Sequence, residues 1–136
     1  MTIDTFGNVA IGEADNAFRF NVQGNGNFTG ELTAASDARY KQNITPINDA
    51  LEIVESLKPV SYEYRQGKYP SMNFSRGIRH GLIAQDVEQV LPELVSTSGE
   101  EDFRSLNYID LIPFLIKAIQ EQQLRIDALE KELSHE

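Results

Sequence analysis

The chain has 136 residues, enough for one domain with a modest core plus extended or coiled appendages. Its 21 acidic and 12 basic side chains give a formal charge of -9, which repels phosphate backbones and anionic lipid, so neither nucleic acid nor membrane is expected as a partner. There is no cysteine, so disulfides and thiolate chemistry are excluded; the only imidazoles, His80 and His135, lie far apart in sequence, a metal site would need carboxylates from elsewhere, and neither metal nor cofactor is expected.

No apolar run approaches the ~20 residues of a membrane span. The opening Met1-Thr2-Ile3-Asp4 lacks the basic flank and apolar stretch of a signal peptide, so a soluble chain is expected.

Residues 1–35 hold five of the nine glycines, no proline and one base, Arg19, with asparagine beside glycine at Gly7-Asn8 and Gly24-Asn25-Gly26-Asn27. This is turn chemistry separating short strands. Val9 with Ile11, and Phe18-Arg19-Phe20-Asn21-Val22, alternate apolar and polar as half-buried strands do. So few apolar residues cannot close a core, and the segment needs a body upstream or copies of itself.

Residues 36–108 carry a fuller apolar complement and read as a mixed α/β unit. Asn48 is the expected cap of a helix over 49–57, with Ala50, Leu51, Val54 and Leu57 on one stripe and Pro59 ending it. Val60 to Tyr64 alternates as a strand, and 66–80, rich in glycine, proline, serine and bases, is expected as a long exposed loop. Gly81 to Ala84 is expected as a short buried strand. Gln85 to Leu91 follows as a helical turn or two stopped by Pro92, with Gln85-Asp86 as its cap. A strand over Glu93–Ser96 comes next, and a polar turn over Thr97–Asp102 leads to Phe103–Leu106.

The last zone, from about 109 to 136, is expected as one long helix with Pro113 in its first turn and Asp110 as cap. Ile112, Leu115, Ile119, Gln122, Ile126, Leu129 and Leu133 are spaced 3, 4, 3, 4, 3, 4, the a/d pattern of a coiled coil broken only by Gln122. Glu121 with Arg125 and Asp127 with Lys131 are expected as i,i+4 pairs on a solvated outer face. Isoleucine at a with leucine at d leans towards two strands.

One segment holds residue types that carry chemistry. Ser36 and Lys41 stand five apart; a serine hydroxyl attacks only when a base takes its proton, and a lysine amine is such a base when neutral. Arg39 offers a cation that would favour the neutral amine, and Asp37 opposes it. A spacing of five does not bring the groups together in a helix, so they meet only if the segment turns back or different chains contribute. By pattern alone the simpler reading leads: Ser36 and Asp37 as turn caps and Lys41 as a solvated surface charge. His80 is expected as a strand or packing residue rather than a triad member.

Residues Ser36-Asp37-Ala38-Arg39-Tyr40-Lys41-Gln42-Asn43-Ile44-Thr45-Pro46-Ile47 begin a series of ordered blocks. Leu57-Lys58-Pro59-Val60 with Tyr62, Gly81-Leu82-Ile83-Ala84-Gln85-Asp86-Val87 with Leu91-Pro92, and Asn107-Tyr108 before Leu111-Ile112-Pro113 complete it. The series resembles the intramolecular chaperone of endosialidase, the S74 peptidase family, and the stretch before it is similar, more loosely, to repeats of phage tail fibres and tailspikes.

The resemblance implies an α+β intertwined homotrimer: a fibre end over 1–35, a chaperone and autoprotease domain over 36–108, and a coiled-coil helix over 109–136. It implies three chains where the heptads lean to two, and three is the expectation adopted. It further implies Ser36 as nucleophile and Lys41 as general base, with Asp37, Arg39 and Asn43 in support. The partner is the upstream fibre of the same chain, folded in the host cytoplasm as a virion precursor and left behind when the chaperone is released.

Two scissile bonds stay open. Attack by Ser36 on the Ala35 carbonyl passes through a five-membered ring, which favours Ala35-Ser36. The resemblance implies release at Ser36-Asp37, the leading expectation, through a neighbouring chain's serine or an activated water. Backbone N–H groups near Arg39 to Lys41 are candidate oxyanion donors. A domain of another class, which trimerises and caps its fibre without cutting, is the alternative.

Overall fold

The computed structural model describes residues 1–12, 18–98 and 101–135. The chain is mixed α+β with a long C-terminal helix, and it divides into two compact units that interleave along the sequence. The first comprises 1–41, 61–81 and 98–103; the second comprises 42–60, 82–97 and 104–136.

In the first unit, β1 (Thr2–Ile3) pairs antiparallel with β2 (Val9–Ile11), and β2 pairs in parallel with β3 (Phe20–Val22), Val9 opposite Phe20 and Ile11 opposite Val22. Asp4 shapes the turn between β1 and β2: its carboxylate accepts from the Phe6 and Asn8 backbone N–H groups at 2.9 Å. Gly12 leaves β2 at φ 90°, and a Cβ there would meet Gln23 atoms at 3.0–3.1 Å, so only glycine fits. Ala10 is the sole buried apolar residue among the described residues of this stretch.

Strands β4 (Val60–Tyr62) and β5 (Arg79–Gly81) pair, joined by a connection that holds a single 3-10 turn over Pro70–Met72. The connection is ordered by aromatic contact: Tyr64 stacks on Phe74 at 4.1 Å between centroids, and Tyr69 meets Phe103 edge-on at 5.8 Å. It touches the glycine-rich stretch through neutral groups, Gln23 donating to Met72 sulfur at 3.2 Å and Asn25 to Ser75 Oγ at 2.8 Å. Lys68 lies over the Tyr69 ring.

The second unit has a core. Val87, Leu91, Leu94 and Leu111 are buried together, with Ile53, Leu57, Leu82, Val95, Leu106 and Phe114 packed around them. A second cluster joins α1 (Ala50–Ser56) to α3 (Ile112–Ser134) through Ala50, Leu51 and Ala118. Alanines facing each other let two helices approach closely. The short α2 (Ala84–Glu88) and all but the end residues Ser98 and Phe103 of the pair β6 (Val95–Ser98) and β7 (Phe103–Leu106) complete the unit, with Arg104 bonded to Glu88 at 2.6 Å.

Several local expectations are corrected. Asp49, not Asn48, is the N-cap of α1; it sits in the left-handed region at φ 54° and makes no side-chain cap. The orphan N–H groups are met from α3 instead, where Glu121 accepts from Leu51 at 2.8 Å and Ala50 at 3.4 Å. Glu121 therefore faces α1 rather than pairing outward, and Asp127 accepts from Gln123 at 2.7 Å. Pro113 does lie in the first turn of α3, but Asp110 caps nothing: Asn107 Oδ1 accepts from Ile109 and Asp110 N–H at the preceding 3-10 turn, Ile109–Leu111.

Leu82 and Ile83 are not strand; Tyr108 OH accepts from the Leu82 N–H at 2.9 Å and holds this connection before α2. Gln85 and Asp86 lie inside α2, whose N-cap is Ile83. The expected strand at Glu93–Ser96 begins only at Val95, after a 3-10 turn over Pro92–Leu94. Of the expected turn over Thr97–Asp102, residues 99 and 100 lie outside the described residues.

The a/d stripe of α3 is uncovered. Ile112, Leu115, Ile119, Ile126, Leu129 and Leu133 are all exposed, from 40% at Leu115 to 71% at Leu133. The face carrying Leu111, Phe114, Ala118 and Glu121 is the one packed within the unit. Two adjoining stripes on one helix thus have different fates.

Candidate active site

Ser36 and Lys41 are brought together. Lys41 Nζ lies 2.8 Å from Ser36 Oγ, within hydrogen-bond range, although both residues are exposed. The contact depends on how the chain is bent between them. Asp37 and Lys41 are extended, with ψ 134° and 146°, and Ala38–Tyr40 form one 3-10 turn that folds the segment back. Tyr40 N–H donates to the Asp37 carbonyl and Lys41 N–H to the Ala38 carbonyl, each at 3.1 Å.

A single turn this short does not persist through its own backbone bonds, because nucleation costs more than two such bonds return. Asp37 supplies the rest: as N-cap, its Oδ1 accepts from the Arg39 N–H at 2.9 Å. Arg39 then closes on the same carboxylate, Nε to Oδ1 at 3.0 Å and a terminal nitrogen to Oδ2 at 2.7 Å. The guanidinium, and secondarily the backbone N–H, hold the Asp37 carboxyl below the usual aspartate range, and the same pairing raises Arg39.

The same bonds place Asp37 and Arg39 relative to Lys41. Arg39 is engaged by Asp37, so its charge is compensated within the pair rather than presented to Lys41 as a lone cation. The candidate oxyanion donors are corrected too: the N–H groups of Arg39, Tyr40 and Lys41 are all used by the turn. An oxyanion formed at residue 35 or 36 needs donors from elsewhere. Asn43 takes φ 53°, a left-handed conformation that asparagine tolerates, and its observed part is to turn the chain after Lys41.

The contact permits proton exchange in both directions. A lysine ammonium donates to Oγ; a neutral amine accepts the hydroxyl proton and leaves an oxygen nucleophile.

His80, on β5, has Nδ1 3.0 Å from Ser61 Oγ, a pairing that residue types alone did not signal. A shallow cavity of about 130 Å³ lies in the second unit, walled by Leu57, Leu82, Val87 and Val90 with Asp86 at its edge; neither Ser36 nor Lys41 lines it. Among the described residues, no group of three His, Asp or Glu side chains is placed to hold a metal ion. No described helix is long and apolar enough to cross a membrane.

Comparison with known proteins places this site at one edge of a recognised domain. Residues 36–96 match the family described as chaperone of endosialidase. The long tail fiber protein Gp37 of Salmonella phage S16 is 31% identical over 105 residues, which cover 76% of this chain and 14% of that protein. The long tail fiber protein Gp37 of Enterobacteria phage Ox2 is 34% identical over 129 residues, 88% of this chain and 50% of that one. An uncharacterized protein of Dictyostelium discoideum is 27% identical over 142 residues, 94% of this chain and 12% of that protein. The chain thus spans half or less of the length of these relatives.

Proposed function

We propose, from the match of residues 36–96 to the family described as chaperone of endosialidase, that the chain is the chaperone module of a phage tail fibre or tailspike, which trimerises, directs assembly of the β-structured fibre before it, and then cuts itself free at Ser36. The carrying observation is the 2.8 Å contact between Lys41 Nζ and Ser36 Oγ. Lys41 is the general base. Removing water from around a lysine amine favours its neutral form, so assembly over the exposed pair would couple cutting to completion of the trimer.

The exposed stripe on α3 supports the trimer. Six apolar side chains at a/d spacing are 40–71% exposed, and each isoleucine or leucine brought out of water contributes up to roughly 1.5–3 kcal/mol. Holding three helices together raises the effective concentration of the attached glycine-rich segments and shortens the search for their register.

Two bonds remain candidates. For Ser36-Asp37, the Oγ of a neighbouring chain's Ser36 adds to the Ser36 carbonyl carbon as its proton moves to Lys41, the C–N bond breaks with that proton passing to the Asp37 nitrogen, and water hydrolyses the ester. For Ala35-Ser36, Oγ adds to the Ala35 carbonyl carbon as its proton moves to Lys41. The C–N bond then breaks to give an ester and a free Ser36 amine, and water hydrolyses the ester. Ser36-Asp37 is the leading reading.

Intact mass under denaturing conditions, with native mass in parallel, tests the proposal on the freshly purified chain beside Ser36→Ala and Lys41→Ala. Two fragments meeting at residue 35 or 36 in the parent alone are expected, with cutting slowed at least ~100-fold by loss of the base. An uncut trimer in parent and variants alike overturns the enzyme and leaves the second reading, an assembly domain that stays on its fibre.

A further inference from the structure

The clasp between Asp37 and Arg39 is held by three bonds on an exposed turn that buries nothing of its own. Arg39 is 84% exposed, so its side chain supports no core. A lone surface carboxylate samples several rotamers, whereas a planar guanidinium bonding both of its oxygens keeps one. That one rotamer is the cap, because the oxygen that accepts from Arg39 Nε also accepts from the Arg39 N–H. Without the turn, six residues from Ser36 to Lys41 in extended form would separate their Cα atoms by up to ~17 Å, beyond the reach of the two side chains.

We propose that Arg39 is a positioning residue for the Ser36–Lys41 pair, acting through Asp37: the bidentate clasp fixes the cap, the cap holds the 38–40 turn, and the turn keeps Lys41 Nζ on Ser36 Oγ. This rests on the self-cleaving reading above and deepens it. Arg39 touches neither reacting group. Its charge is compensated by Asp37, so its part is geometric, and the ammonium of a lysine cannot replace it because one point charge does not bond two oxygens in a plane.

The test follows cleavage of the chain over time by quenched denaturing mass analysis in the parent, Ser36→Ala, Arg39→Ala and Arg39→Lys, with native mass as a control for assembly. Arg39→Ala is expected to assemble as the parent does and to cut about two- to fivefold more slowly, the scale of an exposed ion pair of good geometry. Arg39→Lys is expected to recover less than half of that loss. Methylguanidinium added to Arg39→Ala is expected to restore cutting, and methylammonium at the same concentration is not.

Parental rates in Arg39→Ala, full recovery in Arg39→Lys, or equal rescue by the two added cations would each overturn the clasp while leaving the Ser36–Lys41 reading intact. A parent that never cuts, or a Ser36→Ala chain that cuts like the parent, removes that reading instead and the clasp's role with it.

Discussion

The two units differ most in what they bury. Seven apolar residues of the second unit are buried, in two clusters that join α1, α2 and the start of α3, whereas in the first unit Ala10 alone is buried among the described residues. The reason lies in element length. Strands of two or three residues between glycine and asparagine turns offer one or two apolar side chains per face, and Phe6, Phe20 and Phe28 remain largely exposed. The second unit holds a core; the first leaves most of its large apolar side chains exposed among the described residues.

The largest expected effect probes that contrast directly. Leu91→Ala removes a side chain that is 3% exposed and should cost about 2–5 kcal/mol, read as a lower urea midpoint in the Ser36→Ala background. Phe28→Ala, at a side chain 59% exposed, should change the stability read from the same transition by no more than about 0.5 kcal/mol. Equal losses would mean that the units share one core.

Next in size is the stripe on α3. Ile119→Asp places a charge on a seam position and should convert the proposed trimer to monomers by native mass, since each seam side chain is worth roughly 1.5–3 kcal/mol when covered. Leu124→Asp, equally exposed at 67% but off the a/d spacing, should leave the trimer intact. Dissociation by both would assign association to general apolar contact rather than to a heptad seam.

Glu121→Ala is smaller and tests how the second unit is tied together. Its carboxylate caps α1 across some 70 residues of sequence, so truncation should cost about 1 kcal/mol, and Glu121→Gln, which keeps an acceptor oxygen, about half. Urea unfolding with hydrogen exchange at Leu51 reads both. An unchanged Leu51 amide would show that the cap contributes nothing.

The long helix, its proline and the turn chemistry of 1–35 were legible because each follows from nearest-neighbour rules: a 3.5-residue spacing, a fixed φ, a glycine beside an asparagine. Ser36 and Lys41 were legible as residue types, and Asp37 as a cap, but not the single turn that joins them, since three residues carry no periodicity. Asn48 and Asp110 looked like caps because sequence pattern sees only local acceptors. Glu121 and Asn107 took those roles once tertiary contact, or a 3-10 turn one residue earlier, redirected the N–H groups. The same blindness hid the split of α3 into a packed stripe and a bare one, since both carry apolar residues at helical spacing.

The smallest expected effect concerns pH and separates the units by where acid acts. Asp37 is held below its ordinary range by Arg39, so the clasp contributes fully above the unfolded aspartate value near ~4 and is lost only as pH falls through the lower, folded value. From pH 7 to 5 nothing should change. The residue-39 amide shift, followed by NMR in the Ser36→Ala chain, should titrate below ~4 with Arg39 in place and nearer the ordinary aspartate value when Arg39→Ala is added. Because both groups are exposed, salt should narrow the difference without abolishing the cap. No polar or charged side chain is buried among the described residues, so the Val87 methyl signals should stay fixed while the Arg39 amide moves. A parent titrating at the ordinary aspartate value would mean that the clasp does not persist in solution. Val87 moving in step with Arg39 would mean that the turn and the core respond to acid as one body.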